Sequence, residues 1–134
     1  MAEKFNNYSK KHNSISKGNT SDIIPYAGNT LSGGSGTRPS SSICQIHSLY
    51  VIKEHQTVST NPENESAKIS LIISEPNKTD VKLACNILIL PNSAFYIEKT
   101  ITLLPTQKLM LEYTSANSSA SSTLYTVCST VDMF

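Results

Sequence analysis

Lys68-Ile69-Ser70-Leu71-Ile72-Ile73-Ser74 is the stretch that decides the fold class. Ile69, Leu71 and Ile73 fall at every second position. An extended strand sends successive side chains to opposite faces, so these three share one face. A helix would instead need apolar residues three and four apart, and no stretch of the chain shows such a stripe.

The same grammar continues outward. Val81 to Leu90 is an almost unbroken apolar run, readable as two short strands or as one strand with a bend. Phe95, Ile97, Ile101 and Leu103 keep a period of two through Lys99, as do Leu109, Leu111 and Tyr113. Upstream, Ile43 to Ile52 is rich in β-branched and aromatic residues. A last strand from about Thr123 to Val131 sets Tyr125, Val127 and Val131 on one face and Leu124 and Cys128 on the other. Between the runs stand Pro62, Pro76, Pro91 and Pro105, spaced 14, 15 and 14 apart. Proline has no N–H for a central ladder, so each marks a turn. The absence of glycine from this part favours ordinary type I turns over primed two-residue hairpins. Residues 43–134 therefore read as an all-β domain, a small antiparallel β-sandwich. Leu71, Ile73, Ile97, Leu109, Leu111 and Val127 are its expected core.

Residues 1–42 follow other rules. All five glycines lie here, and Lys4, Lys10, Lys11, Lys17 and Arg38 against Glu3 and Asp22 give +3, while the remainder carries −2. The apolar residues show neither a 3.6 nor a 2 period. A segment so sparse cannot bury enough surface alone to offset the entropy of ordering it. The expectation is an extended, Gly/Ser/Asn-rich docking arm preceding the sandwich. Its anchors would be Phe5, Tyr8, Ile15, Ile23, Ile24, Tyr26 and Leu31, each contributing on the order of 1.5–3 kcal/mol when buried on a partner. Gly33-Gly34-Ser35-Gly36 reads as a flexible hinge within it.

Composition narrows function by exclusion. The chain has 134 residues, enough for one domain, and a formal charge of +1, which leaves no basic surface for nucleic acid. Runs such as Ile87-Leu88-Ile89-Leu90 fall far short of the roughly 20 residues of a membrane helix. Met1 to Asn7 has no apolar segment of the secretory kind, so a soluble, non-exported chain is expected. Cys44, Cys85 and Cys128 are odd in number and widely spaced, each inside an apolar run, which reads as three small buried thiols in a reducing compartment.

No catalytic constellation emerges. Cys44 and His47 have the spacing of a metal pair but point to opposite faces of a strand, and no second pair accompanies them. No nucleophile elbow, P-loop or dinucleotide fingerprint occurs in its required setting. The expectation is a non-enzyme with no catalytic residue, metal or cofactor. Ligand contact, if any, would fall to the loop Thr114–Ser122, the turn Asn61–Ser66, or the strand tyrosines Tyr96, Tyr113 and Tyr125.

The order of strings over residues 43–131 adds a resemblance. Ile46-His47-Ser48-Leu49-Tyr50-Val51 opens it and Lys68-Ile69-Ser70-Leu71-Ile72-Ile73 follows. Next come Ile87-Leu88-Ile89-Leu90-Pro91-Asn92-Ser93-Ala94-Phe95-Tyr96-Ile97 and Ile101-Thr102-Leu103-Leu104-Pro105-Thr106-Gln107-Lys108-Leu109-Met110-Leu111, then Ser115-Ala116-Asn117. This succession resembles the small β-sandwich accessory proteins of tailed-bacteriophage virions, of decoration, neck or tail-accessory type. Where that pattern carries Gly-Asp in its last turn, this chain has Thr106-Gln107. The resemblance implies a structural protein of the virion, assembled in the host cytoplasm. Its partners would be the major capsid protein or neck and tail subunits, and it would be a homo-oligomer with no nucleic-acid or membrane partner. A capsid decoration subunit held by the arm is the leading expectation. A neck, tail or fibre accessory protein, or a receptor- or glycan-binding module, is the alternative.

Overall fold

The alternation at Lys68–Ser74 becomes β5 (Ala67–Ser74), with Ile69 and Leu71 buried and Ile73 half-buried. The computed structural model describes residues 2–53, 67–90, 93–114 and 121–134. The other strands are β1 (Glu3–Ser16), β2 (Thr20–Ile24), β3 (Gly34–Ser35), β4 (Ile43–Lys53), β6 (Val81–Ile89), β7 (Ala94–Ile97), β8 (Ile101–Leu103), β9 (Lys108–Tyr113) and β10 (Ser121–Met133). They form two antiparallel sheets. One runs β3-β1-β10-β4-β7, with β8 also paired to β4, and the other runs β2-β9-β5-β6. The fold is the expected all-β sandwich, with no helix among the described residues.

The boundary expected at residue 42 is not there. β1 pairs with β10 from Glu3↔Met133 to Ser16↔Ser121, and Ala2 and Phe134 exchange backbone hydrogen bonds of 2.6 and 2.9 Å beyond that ladder. β2 pairs with β9, so the first 24 residues supply one strand to each sheet. The physical reason lies on the inner side of β1, where Tyr8, His12 and Ile15 are buried. Two of these three are polar, so the inward row leaves no aliphatic period in the sequence. His12 is instead held by Ser21 Oγ at 2.6 Å and Thr126 Oγ1 at 2.8 Å, joining β1 to β2 and β10.

Within Gly33-Gly34-Ser35-Gly36, the expected hinge, Gly34 and Ser35 instead form β3 and pair with β1. A Cβ on Gly34 would lie 2.5 Å from the Ser9 carbonyl oxygen, and one on Gly36 would lie 2.6 Å from the Tyr8 ring. Glycine here permits a close approach of two backbones.

Buried polar groups lock this region. The Arg38 guanidinium is fully buried and donates to five carbonyl oxygens, those of Pro25, Ser42, Leu103, Leu104 and Gln107, at 2.6 to 3.2 Å. It thereby ties the 25–42 loop to the turn between β8 and β9. Tyr8 Oη donates to Asp132 Oδ2 at 2.8 Å, and Asn6 Nδ2 reaches the same oxygen at 3.0 Å and the Thr37 carbonyl at 2.8 Å. Buried hydrogen-bonded charges of this kind are costly to break from one side, because the partner is left uncompensated.

A bulge in β4 and the choice of inward face in β10 explain further differences from sequence. In β4 the register passes from Ser48 to Ile46 opposite Ser129 and Thr130, so His47 bulges out. Cys44 and Ile46 before the bulge, and Leu49 and Val51 after it, all face the core. The run from Phe95 to Leu103 divides at this point: β7 pairs with Leu49–Ile52, and β8 with Cys44–Ile46. In β10 the inward row is Leu124, Thr126, Cys128, Thr130 and Asp132, which puts Val127 on the exposed side and removes it from the core. Three of those five are polar, so apolarity alone selects the wrong face.

Pro76 and Pro105 lie in turns, and Pro62 and Pro91 fall outside the described residues. Asn77, after Pro76, has a φ of 63°, which type II requires at its third position in place of the expected type I.

Candidate functional site: the outer face of the six-stranded sheet

A sheet of an isolated sandwich normally turns polar side chains to water. The outward rows of β10, β4 and β7 depart from this. Val127 lies opposite Tyr50, and Tyr50 opposite Tyr96, so the three form one row across three strands. The next row is Tyr125, Ile52 and Ala94. β1 extends both, with Ser9 beside Val127 and Lys11 beside Tyr125. Tyr50, Ile52, Tyr96 and Val127 are all exposed, Tyr96 most of all at 57%. The rings of Tyr50 and Tyr96 stack with centroids 5.8 Å apart and planes 27° from parallel, and Lys11 Nζ sits 5.5 Å from the centre of the Tyr125 ring.

At the lysine end of these rows lies a hollow of about 340 Å³ bounded by Lys10, Lys11, Gly34, Ser35, Tyr125 and Val127. Phe5 stands on the same outer side two rows away, opposite Val131, and is 84% exposed. The face offers flat aromatic area, aliphatic area, a cation and hydroxyls. Those groups stack, exclude water and hydrogen-bond, which is the chemistry of adhesion.

The groups beneath this face are held in single protonation states. Burial, with Lys10 adding and Asp22 opposing, lowers the His12 pKa to about 4, so the ring is neutral at pH 7. Burial and the hydrogen bond to Asp132 push the Tyr8 phenol up, and burial lowers Arg38. The Cys44 thiol is pushed up by burial and Asp132, and the Cys128 thiol up to about 12 by the same causes. Among the described residues no three His, Cys, Asp or Glu side chains converge on a point that a metal ion would fill.

The anchors expected of an arm are placed elsewhere. Tyr8, Ile15, Ile23, Ile24 and Leu31 are buried in the core of this chain, and Tyr26 is half-buried with Lys108 Nζ 5.1 Å from its ring centre. Only Phe5 is free to meet a partner. Of the strand tyrosines, Tyr96 and Tyr125 belong to the face while Tyr113 is buried. The loop Thr114–Ser122, but for its ends, and the turn Asn61–Ser66 fall outside the described residues. Tyr50, which sequence reasoning passed over, alternates with buried Leu49 and Val51, and that alternation is the signal that marks it as outward. Cys85 is exposed, not buried, because it sits where edge strand β6 is bulged.

Comparison with protein-family models and with curated protein sequences gives no match.

Proposed function

We propose that the protein is a non-enzymatic structural subunit of a bacteriophage particle, of the capsid decoration type. It attaches to a neighbouring virion protein through the outer face of the six-stranded sheet. The order of strings over residues 43–131 supports the class of protein. The observation that carries the mode of attachment is the pair of adjacent rows Val127–Tyr50–Tyr96 and Tyr125–Ile52, in which all but the half-buried Tyr125 are exposed. Aromatic residues clustered at the centre of a surface are the usual anchors of an interface. Attachment thus passes from an arm to a face, since the first 24 residues are used in building the sandwich. Assembly takes place in the host cytoplasm and the finished location is the virion.

Quantitative mass spectrometry of gradient-purified particles tests this. Hundreds of copies, commensurate with the shell, are expected for decoration. A few to a few dozen would transfer the subunit to neck, tail or fibre, and absence from particles would overturn the reading. Changing Tyr50 and Tyr96 together to Lys is expected to abolish incorporation while leaving the circular dichroism spectrum unchanged.

A second reading, contact with a glycan receptor, is favoured by the stacked Tyr50 and Tyr96 rings beside a hollow lined by Lys10 and Lys11. An acidic sugar would match that pairing of aromatic surface and positive charge. Titration with acidic oligosaccharides checks it, and no saturable binding would remove it.

A further inference from the structure

The sandwich is closed at one edge and open at the other. At the closed edge the 25–42 loop brings Leu31 and Arg38 into full burial. At the other, β6 ends the four-stranded sheet and β7 ends the six-stranded one, leaving a mouth of about 550 Å³ bounded by Leu83, Ala84, Phe95, Ile97 and Ile101. The core-facing side of β6 uncovers steadily along the strand: Ile89 is 2% exposed, Ile87 and Ala84 are half-buried, and Val81 is 56% exposed. Leu83, Leu88 and Leu90 are exposed as well. Natural edge strands are usually guarded by charge, proline or short length. β6 has nine residues, and its one charge, Lys82, leans away to Glu112 at 3.8 Å.

We infer that this edge is an interface between two copies of the chain, formed by antiparallel pairing of β6 with the β6 of a second copy about a two-fold axis at Cys85. Self-complementarity selects the occupant. Reversing β6 on itself about Cys85 sets Val81 opposite Ile89 and Lys82 opposite Leu88. In the fold Val81 and Ile89 both pair with the core-facing row of β5, and Lys82 and Leu88 both pair with its outward row. Both of these pairs therefore join like face to like face, as strand register demands. The residues with no ladder partner on β5, Leu83, Cys85 and Asn86, cluster around the axis, where the left-handed Asn86, whose N–H donates to Ser70 Oγ, bends the strand. The Ile89–Leu90 end of one copy then falls over the open mouth of the other.

The exposed side chains of Val81, Leu83 and Leu88 in β6, with Leu90 just beyond it, offer roughly 300 Å² per copy before backbone and mouth are counted, against about 800 Å² per partner in a standard stable interface. The dimer is accordingly one that dissociates on dilution. The inference does not depend on the particle in which the protein serves.

Sedimentation of the full chain under reducing conditions tests it. A dimer that dissociates on dilution is expected at tens of micromolar. Leu88→Lys, which sets a second lysine opposite Lys82, should weaken it at least tenfold with the circular dichroism spectrum retained. A monomeric wild type, or a dimer indifferent to that change, would overturn the inference. Should the variant misfold, hydrogen exchange of wild-type amides 81–89 decides: protection rising with concentration supports the pairing, and constant protection overturns it. Paired residues at the axis lie about 4.5–5.5 Å apart between Cα atoms, within disulfide reach. Copper–phenanthroline oxidation of the dimer should therefore give a covalent dimer that Cys85→Ser abolishes, and failure to form it would remove Cys85 from the axis.

Discussion

The two sheets turn unlike faces to solvent, although both carry apolar residues there. On the four-stranded sheet the outward row is Asp22, Met110, Ile72 and Lys82 in register. Its two central residues are only 8% and 3% exposed. Around them Lys108 reaches Asp22 at 3.2 Å and Lys82 reaches Glu112 at 3.8 Å, so paired charged side chains lay their aliphatic stems over the apolar centre. On the six-stranded sheet the corresponding residues are Val127, Tyr50 and Tyr96, flanked by Ser9, which is too short to cover them. Outward apolar residues thus do not in themselves make an adhesive surface. The length and pairing of their neighbours decide whether they are capped or left for a partner.

The largest effect that bears on this contrast is the loss of the frame beneath both faces. Deleting residues 1–42 withdraws β1, β2 and Arg38 together, and the remainder is expected to show no cooperative thermal unfolding by circular dichroism. A folded, cooperative 43–134 fragment would restore the arm reading and dissolve the six-stranded face as described.

Next in size is a pH effect at His12, which joins the two sheets. Its pKa in the folded chain, about 4, lies below the ordinary 6.5, so between these values the unfolded chain binds a proton that the folded chain does not. The stabilisation is complete above about pH 6.5 and is lost as pH falls towards 4, by about 3 kcal/mol in all. Urea midpoints at pH 7 and pH 4.5 should differ accordingly, and His12→Gln should flatten the difference. An unchanged slope in the variant would assign the acid sensitivity to other groups.

The contrast itself is sharpened by matched substitutions. Met110→Ser, beneath its charged cover, should cost about 2 kcal/mol or more, whereas Tyr96→Ser on the open face should cost less than about 1 kcal/mol. The hydrophobic dye response should fall for Tyr96→Ser and be unmoved by Met110→Ser. Equal stability losses would mean that the two faces are covered alike.

What could be read in advance was whatever depended on apolar alternation. β5 and β9 have aliphatic inward rows, so Leu71, Leu109 and Leu111 were legible as core. Where the inward row is polar, the signal fails. β1 hides Tyr8 and His12, and β10 hides Thr126, Thr130 and Asp132, acceptable inside because other strands supply hydrogen bonds to the four uncharged residues and to one Asp132 oxygen. The candidate face was partly legible: Tyr96 and Tyr125 stood out by residue type, while Tyr50 joined them only through cross-strand register.

Strand period and proline chemistry act over a few residues, so the all-β class, the turns at Pro76 and Pro105 and the core places of Leu71, Leu109 and Leu111 follow from local pattern, while Ile73 and Ile97 are only half-buried. Long-range strand pairing alone assigns the first 24 residues to both sheets, turns Val127 outward and brings Tyr50, Tyr96 and Tyr125 together. Those outcomes rest on pairings between residues far apart in the chain, from Tyr50 with Tyr96 to Tyr8 with Asp132, and local pattern carries no record of them.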